Sequence, residues 1–211
     1  FLTVRQFDTF TQERQGGALT FGHPVLHDNL RLYLRYKLEN VDISSRTGGL
    51  FGSGGNSTGL NLLQRLPVAN LFRSGITSSA RLSLVWDSRD NRMFAQNGIY
   101  ASVSTEVSDS YLGSVNVFHR NESFFRFYKQ LWGPFVLRFN TEAGLVTSRL
   151  NSGVPLFERY FLGGIFNVRG YNLNSLGPRA GITRSSDPNA LPSATGVAIG
   201  GNFQFFYNLE V

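Results

Sequence analysis

The segment Leu30-Arg31-Leu32-Tyr33-Leu34-Arg35-Tyr36-Lys37-Leu38 alternates between two kinds of side chain. Every second residue is leucine or tyrosine, and the residues between them are arginine, tyrosine or lysine. Because successive side chains of a β-strand point to opposite faces, this segment predicts a strand with one apolar and one polar face. Strands of about ten residues are long enough, when tilted, to cross a lipid bilayer.

The same two-residue period recurs at 80–87, 99–107, 135–145 and 202–211. No segment has a convincing helical period, although a short helix is considered within residues 60–72. The pattern predicts eight strands, near residues 1–9, 17–24, 29–40, 79–87, 98–107, 114–129, 135–146 and 199–211.

The predicted connections alternate in length. Short or moderate turns fall near residues 23–28, 87–98 and 132–134, and long segments fall at 41–78 and 147–198. Transmembrane barrels have short periplasmic turns and longer outer loops. If the short turns are periplasmic, both long segments lie outside, as that rule requires.

The composition excludes several classes of protein. The chain has 211 residues, of which 41% are hydrophobic, so it is not a disordered tail. It has no cysteine, which excludes a disulfide framework and a thiolate metal site. The net charge is +6, but the basic residues stand singly between apolar ones, so nucleic-acid binding is not expected. We expect no metal and no cofactor.

A soluble β-sandwich or lipocalin-like barrel would also give alternating strands. Only 16% of the residues are charged, against about 25% in an average soluble domain. The predicted strands are long, and their apolar faces carry large aliphatic and aromatic side chains. These features favour an all-β, antiparallel transmembrane β-barrel with a polar lumen.

One stretch of the last long segment, 157–179, is not ordinary loop sequence. It reads FERYFLGGIFNVRGYNLNSLGPR. Its glycine pair permits backbone conformations that other residues resist. Its central arginine can donate several hydrogen bonds in a rigid fork, for example to carboxylates of a barrel lumen. The residues singled out are Val168, Arg169, Gly170 and Tyr171, with Gly163, Gly164, Gly177 and Pro178 as loop support.

These residues resemble the sixth extracellular loop of the BamA family of outer-membrane β-barrel assembly proteins. The family hallmark is Val-Arg-Gly followed by Phe or Tyr, preceded by Gly-Gly and followed by Gly-Pro. Asp87, Arg89 and Asp90 with Gly98 resemble the family's strand-turn-strand segment two hairpins earlier. Ala95 stands near the position where the family commonly has a proline, a modest departure.

The resemblance implies a sixteen-stranded barrel of which residues 1–211 are the central part. The periplasmic repeat domains of the family are absent from this chain. The family folds and inserts β-barrel proteins into the outer membrane without covalent chemistry, so no enzyme is expected. The implied partners are outer-membrane lipids, unfolded outer-membrane protein clients and accessory lipoproteins. Arg169 is expected to lock the loop inside the barrel, with acidic partners on later strands beyond this chain.

Other functions stay open at this point. Within the superfamily, a two-partner secretion transporter or a TamA-like protein shares the Val-Arg-Gly-Tyr motif. From other classes, a passive porin or an outer-membrane enzyme with a site at the lumen rim is considered. An enzyme needs convergent polar groups, whereas His23 and His27 flank a predicted turn, and Asp87 and Asp90 are more simply residues of a turn.

Overall fold

A computed structural model describes residues 2–6, 10–45, 74–165, 167–182 and 193–211. Within these ranges the structure is all-β except for two short 3₁₀ helices, Ser110–Leu112 and Leu156–Glu158. No helix among the described residues is long and apolar enough to span a membrane. The strands are β1 (Leu2–Gln6), β2 (Phe10–Val25), β3 (His27–Ser45), β4 (Gly75–Asp87), β5 (Gly98–Ser108), β6 (Phe118–Gln130), β7 (Val136–Thr147), β8 (Arg179–Ile182), β9 (Ser193–Ala198) and β10 (Phe203–Glu210).

Eight strands form one antiparallel sheet, in the order β1-β2-β3-β4-β5-β6-β7-β10. Each strand up to β7 pairs with the next in sequence, and β10 adds to the free side of β7. β8 and β9 form a separate hairpin. The predicted all-β antiparallel fold is confirmed, and in the described part of the chain the sheet is open, with β1 and β10 at its edges.

The first strands are longer than the sequence analysis predicts. β2 begins at Phe10 instead of near residue 17, and β3 continues to Ser45. The turn between them is the single residue Leu26, with φ of 65°. The extra length of β2 lacks apolar alternation, so only its pairing with β3, such as Gln12 with Ile43, defines it.

Two later predictions need correction. β6 begins at Phe118 instead of 114, because residues 109–117 form a 3₁₀ turn and a loop held by the hydroxyl of Ser108, which lies 2.7 Å from the carbonyl oxygen of Asn116. The segment 147–198 contains β8 and β9, which are too short to show a clear period. The helix considered at 60–72 lies outside the described residues, as does most of the segment 41–78.

The two faces of the sheet invert the polarity of a soluble protein. One face, here called the outer face, exposes its large apolar side chains. Rings of Phe125, Phe139 and Tyr207 follow one another across three strands of this face, with centroids 6.3 and 6.4 Å apart. Exposed apolar residues of the outer face include Leu34, Leu82, Leu84, Val103, Phe125, Leu145, Phe205 and Leu209. A continuous apolar face of this kind requires an apolar environment.

The opposite face, here called the inner face, carries the charged side chains. Glu39 and Glu106 are buried there, and Arg81, Arg120 and Glu122 are half-buried. Segments from the chain between β7 and β10 cover part of this face. The sheet therefore separates an apolar side from a polar side that another part of the chain fills.

Val103 tests the assignment of the two faces, since it lies at the middle of β5 on the outer face and is 63% exposed. In lipid vesicles, we expect Val103→Arg to lower the free energy of unfolding by about 2–4 kcal/mol, because it places a charge in hydrocarbon. Ser102→Arg, next to it on the inner face, is the control and should cost less. An equal loss of stability in both variants would contradict the assignment.

Candidate functional site

The chain from 148 to 178, here called the returning loop, comes back from the end of β7 onto the inner face. Tyr160 and Gly201 exchange two backbone hydrogen bonds of 2.9 Å, which attaches the loop to the start of β10. Further along, Leu162 and Leu176 form a second bridge between the two arms of the loop. The loop is therefore a narrow, internally paired segment.

A small apolar cluster fixes the first part of the loop. Val154 is buried against Phe118 at the start of β6 and Val146 at the end of β7, and Tyr160 packs against the same cluster. The loop residues Leu156 and Phe157 are also buried. Removing this apolar surface from water favours the docked position of the loop.

Glu158 follows directly and is the most deeply buried charge of the loop, with 1% of its side chain exposed. Arg120 on β6 donates to Oε2 of Glu158 and, over 2.8 Å, to the backbone carbonyl of the same residue. Arg14 on β2 lies 3.4 Å from the other carboxylate oxygen and donates to the carbonyl of Phe157 over 3.1 Å. The Arg14 contact to the carboxylate is ionic, since Oε1 makes no hydrogen bond to the described residues.

These three side chains belong to a larger cluster, here called the ion network. Arg14 lies 3.1 Å from Glu39, and Arg81 lies 3.0 Å from Glu106. Four cations and four carboxylates cancel, 4 − 4 = 0. The members are Arg14, Lys37, Arg81 and Arg120 with Glu39, Glu106, Glu122 and Glu158. Buried charges require such pairing because each loses its hydration.

Tyr160 occupies a space that a glycine provides. A Cβ atom at Gly144, on the inner face of β7, would lie 2.6 Å from the tyrosine ring. The hydroxyl of Tyr160 donates to Glu122 over 3.3 Å, which links the ring to the ion network. The absence of a side chain at Gly144 thus lets the ring of Tyr160 pack directly against the backbone of β7.

The predicted support residues Gly163 and Gly164 shape the next turn. Both have left-handed backbones, with φ of 110° and 111°. A Cβ atom at Gly163 would lie 2.4 Å from the carbonyl oxygen of Asn172. Only glycine meets both conditions without strain. On the returning arm, Gly177 has φ of 130°, and the carbonyl of Pro178 accepts a hydrogen bond from Ile199.

The motif residues form the tip of the loop. Asn208 of β10 donates to the backbone carbonyl of Asn167 over 3.2 Å. Arg169 lies 3.0 Å from Glu210 at the end of β10, but 72% of its side chain and 41% of that of Glu210 are exposed. Val168 is half-buried, whereas Gly170 and Tyr171 are exposed. The tip therefore rests on β10 through polar contacts at the surface.

Two residues of the site, Glu158 and Glu210, are not predicted from the sequence. Glu158 stands close to Leu156, Phe157 and Tyr160 in the sequence, and an acidic residue in such an apolar context is a usable signal for a buried charge. Its partner Arg14 is remote in sequence, so no spacing rule identifies the pair. Acidic partners of Arg169 were expected beyond this chain, whereas the structure places one at Glu210.

The other predicted motif, Asp87, Arg89 and Asp90, forms the connection between β4 and β5. Arg89 binds the carboxylate of Asp87 with two nitrogens, at 2.8 and 3.0 Å, and lies 4.9 Å from the ring centre of Tyr100. At Gly98, a Cβ atom would lie 2.5 Å from the carbonyl oxygen of Ser88. This geometry is that of a rigid turn.

Asp90 organises the tip of that turn. Its carboxylate accepts backbone hydrogen bonds from Asn91, Gln96 and Asn97, at 2.7, 3.1 and 3.1 Å. Desolvation acts to raise the pKa of Asp90, but these N–H groups outweigh it and hold the pKa below its ordinary value. The carboxylate of Asp90 therefore stabilises the turn fully above its ordinary pKa of about 3.9, and this stabilisation is lost as pH falls through the lowered pKa.

The contacts described so far hold the returning loop and the β4–β5 turn in place. Among the described residues, no group of His, Asp and Glu is placed to hold a metal ion. His23 contacts the carbonyl of Pro24, and His119 contacts the hydroxyl of Thr105 at 2.9 Å. These histidines lie on different strands.

Gly144→Ala tests the close approach of Tyr160. The added methyl group should displace the ring and the start of the returning loop, which hydrogen exchange at Tyr160 and Gly201 would detect as lost protection. Gly17→Ala on β2 is the matched control, because a Cβ atom there meets nothing within 4 Å. Equal protection in the two variants would contradict the described packing.

Asp90→Ala tests the turn between β4 and β5. Loss of the three backbone hydrogen bonds should loosen residues 91–97, so trypsin should cleave faster after the exposed Arg92. Gln96→Ala serves as control, since Gln96 contributes its backbone N–H and not its side chain. Unchanged cleavage of Asp90→Ala would show that the carboxylate does not hold the turn.

Comparison with known proteins places this geometry in a family. The Omp85 superfamily domain matches residues 3–211. The outer membrane protein assembly factor BamA of Nitratidesulfovibrio vulgaris (strain Hildenborough) is 31% identical over 135 residues, which are 64% of this chain and 16% of that protein. The fold is similar to that of BamA from Haemophilus ducreyi lacking POTRA domains 1–3, with a TM-score of 0.72 and 18% identity over 95% of this chain and 37% of that one.

The chain thus spans a minor part of the length of the relatives that it matches. The apolar outer face is the surface that contacts lipid, and the inner face lines the lumen. The chain belongs to the Omp85 superfamily and is a segment of an integral outer-membrane β-barrel.

Proposed function

We propose that the protein containing this chain folds and inserts β-barrel proteins into the outer membrane. The observation that supports this most is the returning loop, whose Val168-Arg169-Gly170-Tyr171 tip rests against β10 on the inner face of the sheet. The similar protein of N. vulgaris carries the name of an assembly factor. The superfamily domain covers nearly all of the chain, so the loop and the strands belong to one family domain.

In this proposal, residues 1–211 form the central part of a sixteen-stranded barrel. The chain between β3 and β4 and the chain between β7 and β10 contribute its long outer connections, and periplasmic repeat domains belong to the rest of the protein. Its partners are outer-membrane lipids, unfolded outer-membrane protein clients and the accessory lipoproteins of an assembly complex. No covalent step or cofactor is required, because the physical problem is to pair the backbone of an incoming strand, which is costly to leave unpaired in lipid.

We assign Arg169 the role of holding the loop tip against the barrel wall. Its pair with Glu210 is exposed, and such pairs contribute about 0–1 kcal/mol to stability. Its contribution is therefore to the position of the tip and not to the folding of the barrel. The tip also receives the hydrogen bond from Asn208, so the two contacts together set its register on β10.

Arg169→Ala is the corresponding test. We expect the free energy of unfolding to change by less than about 1 kcal/mol, while the assembly of client barrels falls in cells depleted of the native protein. The measurement is the amount of folded client barrels, resolved by heat-modifiable migration.

Arg149→Ala is the matched control, because Arg149 is an equally exposed arginine of the same loop, paired with Asp109. It should leave client assembly unchanged. Normal client assembly with Arg169→Ala, at equal protein levels, would contradict the proposed role.

A further inference from the structure

Two acidic–basic contacts join the returning loop to strands of the sheet in the described part of the chain. One is the contact of Glu158 with Arg14 and Arg120, and the other is that of Arg169 with Glu210. They differ sharply in environment. The side chain of Glu158 is 1% exposed, whereas that of Arg169 is 72% exposed. Water and salt weaken the second contact much more than the first.

The charge balance of the inner face depends on Glu158. Without the loop, the strands contribute four cations to the ion network and three carboxylates, so the balance is 4 − 3 = +1. Among the described members of the network, Glu158 supplies the fourth carboxylate. The described strand members therefore carry a surplus of one positive charge, which the carboxylate of the loop offsets.

The contact also ties together distant parts of the wall. Arg14 lies on β2 and Arg120 on β6, with three strands between them, yet both reach the carboxylate of Glu158. Each arginine also donates to a backbone carbonyl of the loop, at Phe157 or at Glu158. Side chain and main chain are thus held at the same point.

The next contacts of the loop lie shortly after Glu158 in the chain. Two residues later, Tyr160 lies over Gly144 and donates to Glu122, which is itself a member of the ion network. Gly163 and Gly164 then turn the chain toward the tip. The ring of Tyr160 and the glycine turn toward the tip thus follow directly along the chain from the point that Arg14 and Arg120 hold.

We infer that Glu158 is the positioning residue that seats the returning loop on the inner face, whereas the pair of Arg169 with Glu210 aligns the tip on β10. The carboxylate acts through the loop and touches no client. An effect on client assembly rests on the proposed function above, whereas the seating of the loop does not.

Hydrogen–deuterium exchange of the whole protein that contains this chain, in lipid nanodiscs, tests the inference. In Glu158→Gln, amides of residues 160–176 should exchange at least about tenfold faster, while β6 and β7 keep their protection. The conservative variant Glu158→Asp keeps the charge and should recover most of the protection. Should Glu158→Gln not fold, Arg14→Gln removes one of the two arginine contacts and should release the loop partially.

Glu142→Gln is the matched control. It removes a carboxylate from the inner face of β7. That carboxylate accepts a hydrogen bond from Gln204 over 2.7 Å and does not contact the loop. Unchanged exchange of the loop in Glu158→Gln, or release of residues 156–164 by Arg169→Ala to the same extent, would overturn the inference. A released loop with normal client assembly would support Glu158 as the seat and would contradict the proposed function instead.

Discussion

A carboxylate without water needs partners, and the carboxylate of Glu158 shares two arginines that belong to opposite parts of the sheet. Breaking a buried pair by removing one partner costs about 3–5 kcal/mol, because it leaves an uncompensated charge. An exposed pair such as that of Arg169 contributes about 0–1 kcal/mol. The position of the loop in the lumen is thus decided mainly at Glu158, and the motif at the tip follows it.

This reliance on charge comes from the inverted polarity of the barrel. A soluble domain buries apolar side chains at its centre, but here Leu34, Leu84 and Phe205 are exposed on the outer face, where lipid surrounds them. Among the described residues, the apolar cluster that holds the loop is small and centres on Phe118, Val146 and Val154. A loop that enters such a lumen is held by paired charges, by hydrogen bonds and by close contacts such as that of Tyr160 over Gly144.

The alternation of side chains was sufficient to predict the strands, because one face of the sheet is apolar and the other is polar. The predictions of β5 and β7 are accurate to about a residue, since their apolar residues continue close to the strand ends. β4 begins at Gly75 and not near 79, because Thr77, Ser78 and Ser79 break the apolar alternation. The prediction is too short for β2, whose first half has no apolar alternation in the sequence and is defined by pairing with β3. β8 and β9 were missed because four to six residues carry too little pattern.

The site was predictable in part. Gly163, Gly164 and Arg169 were found because they belong to a motif, and the glycines do occupy left-handed backbone positions. Glu158 was not found because its significance depends on Arg14 and Arg120, which approach it only when the sheet forms. A single sequence shows which residues are charged, but the charge balance of a buried cluster emerges from the fold.

The most direct measurement is a density map, by electron cryomicroscopy in a lipid nanodisc, of the protein that contains this chain, resolved well enough to show side chains around residue 158. We expect the Glu158 carboxylate within ion-pair distance, about 4 Å, of both Arg14 and Arg120, with the returning loop inside the lumen. A loop outside the lumen, with Glu158 in water and the two arginines paired elsewhere, would contradict it.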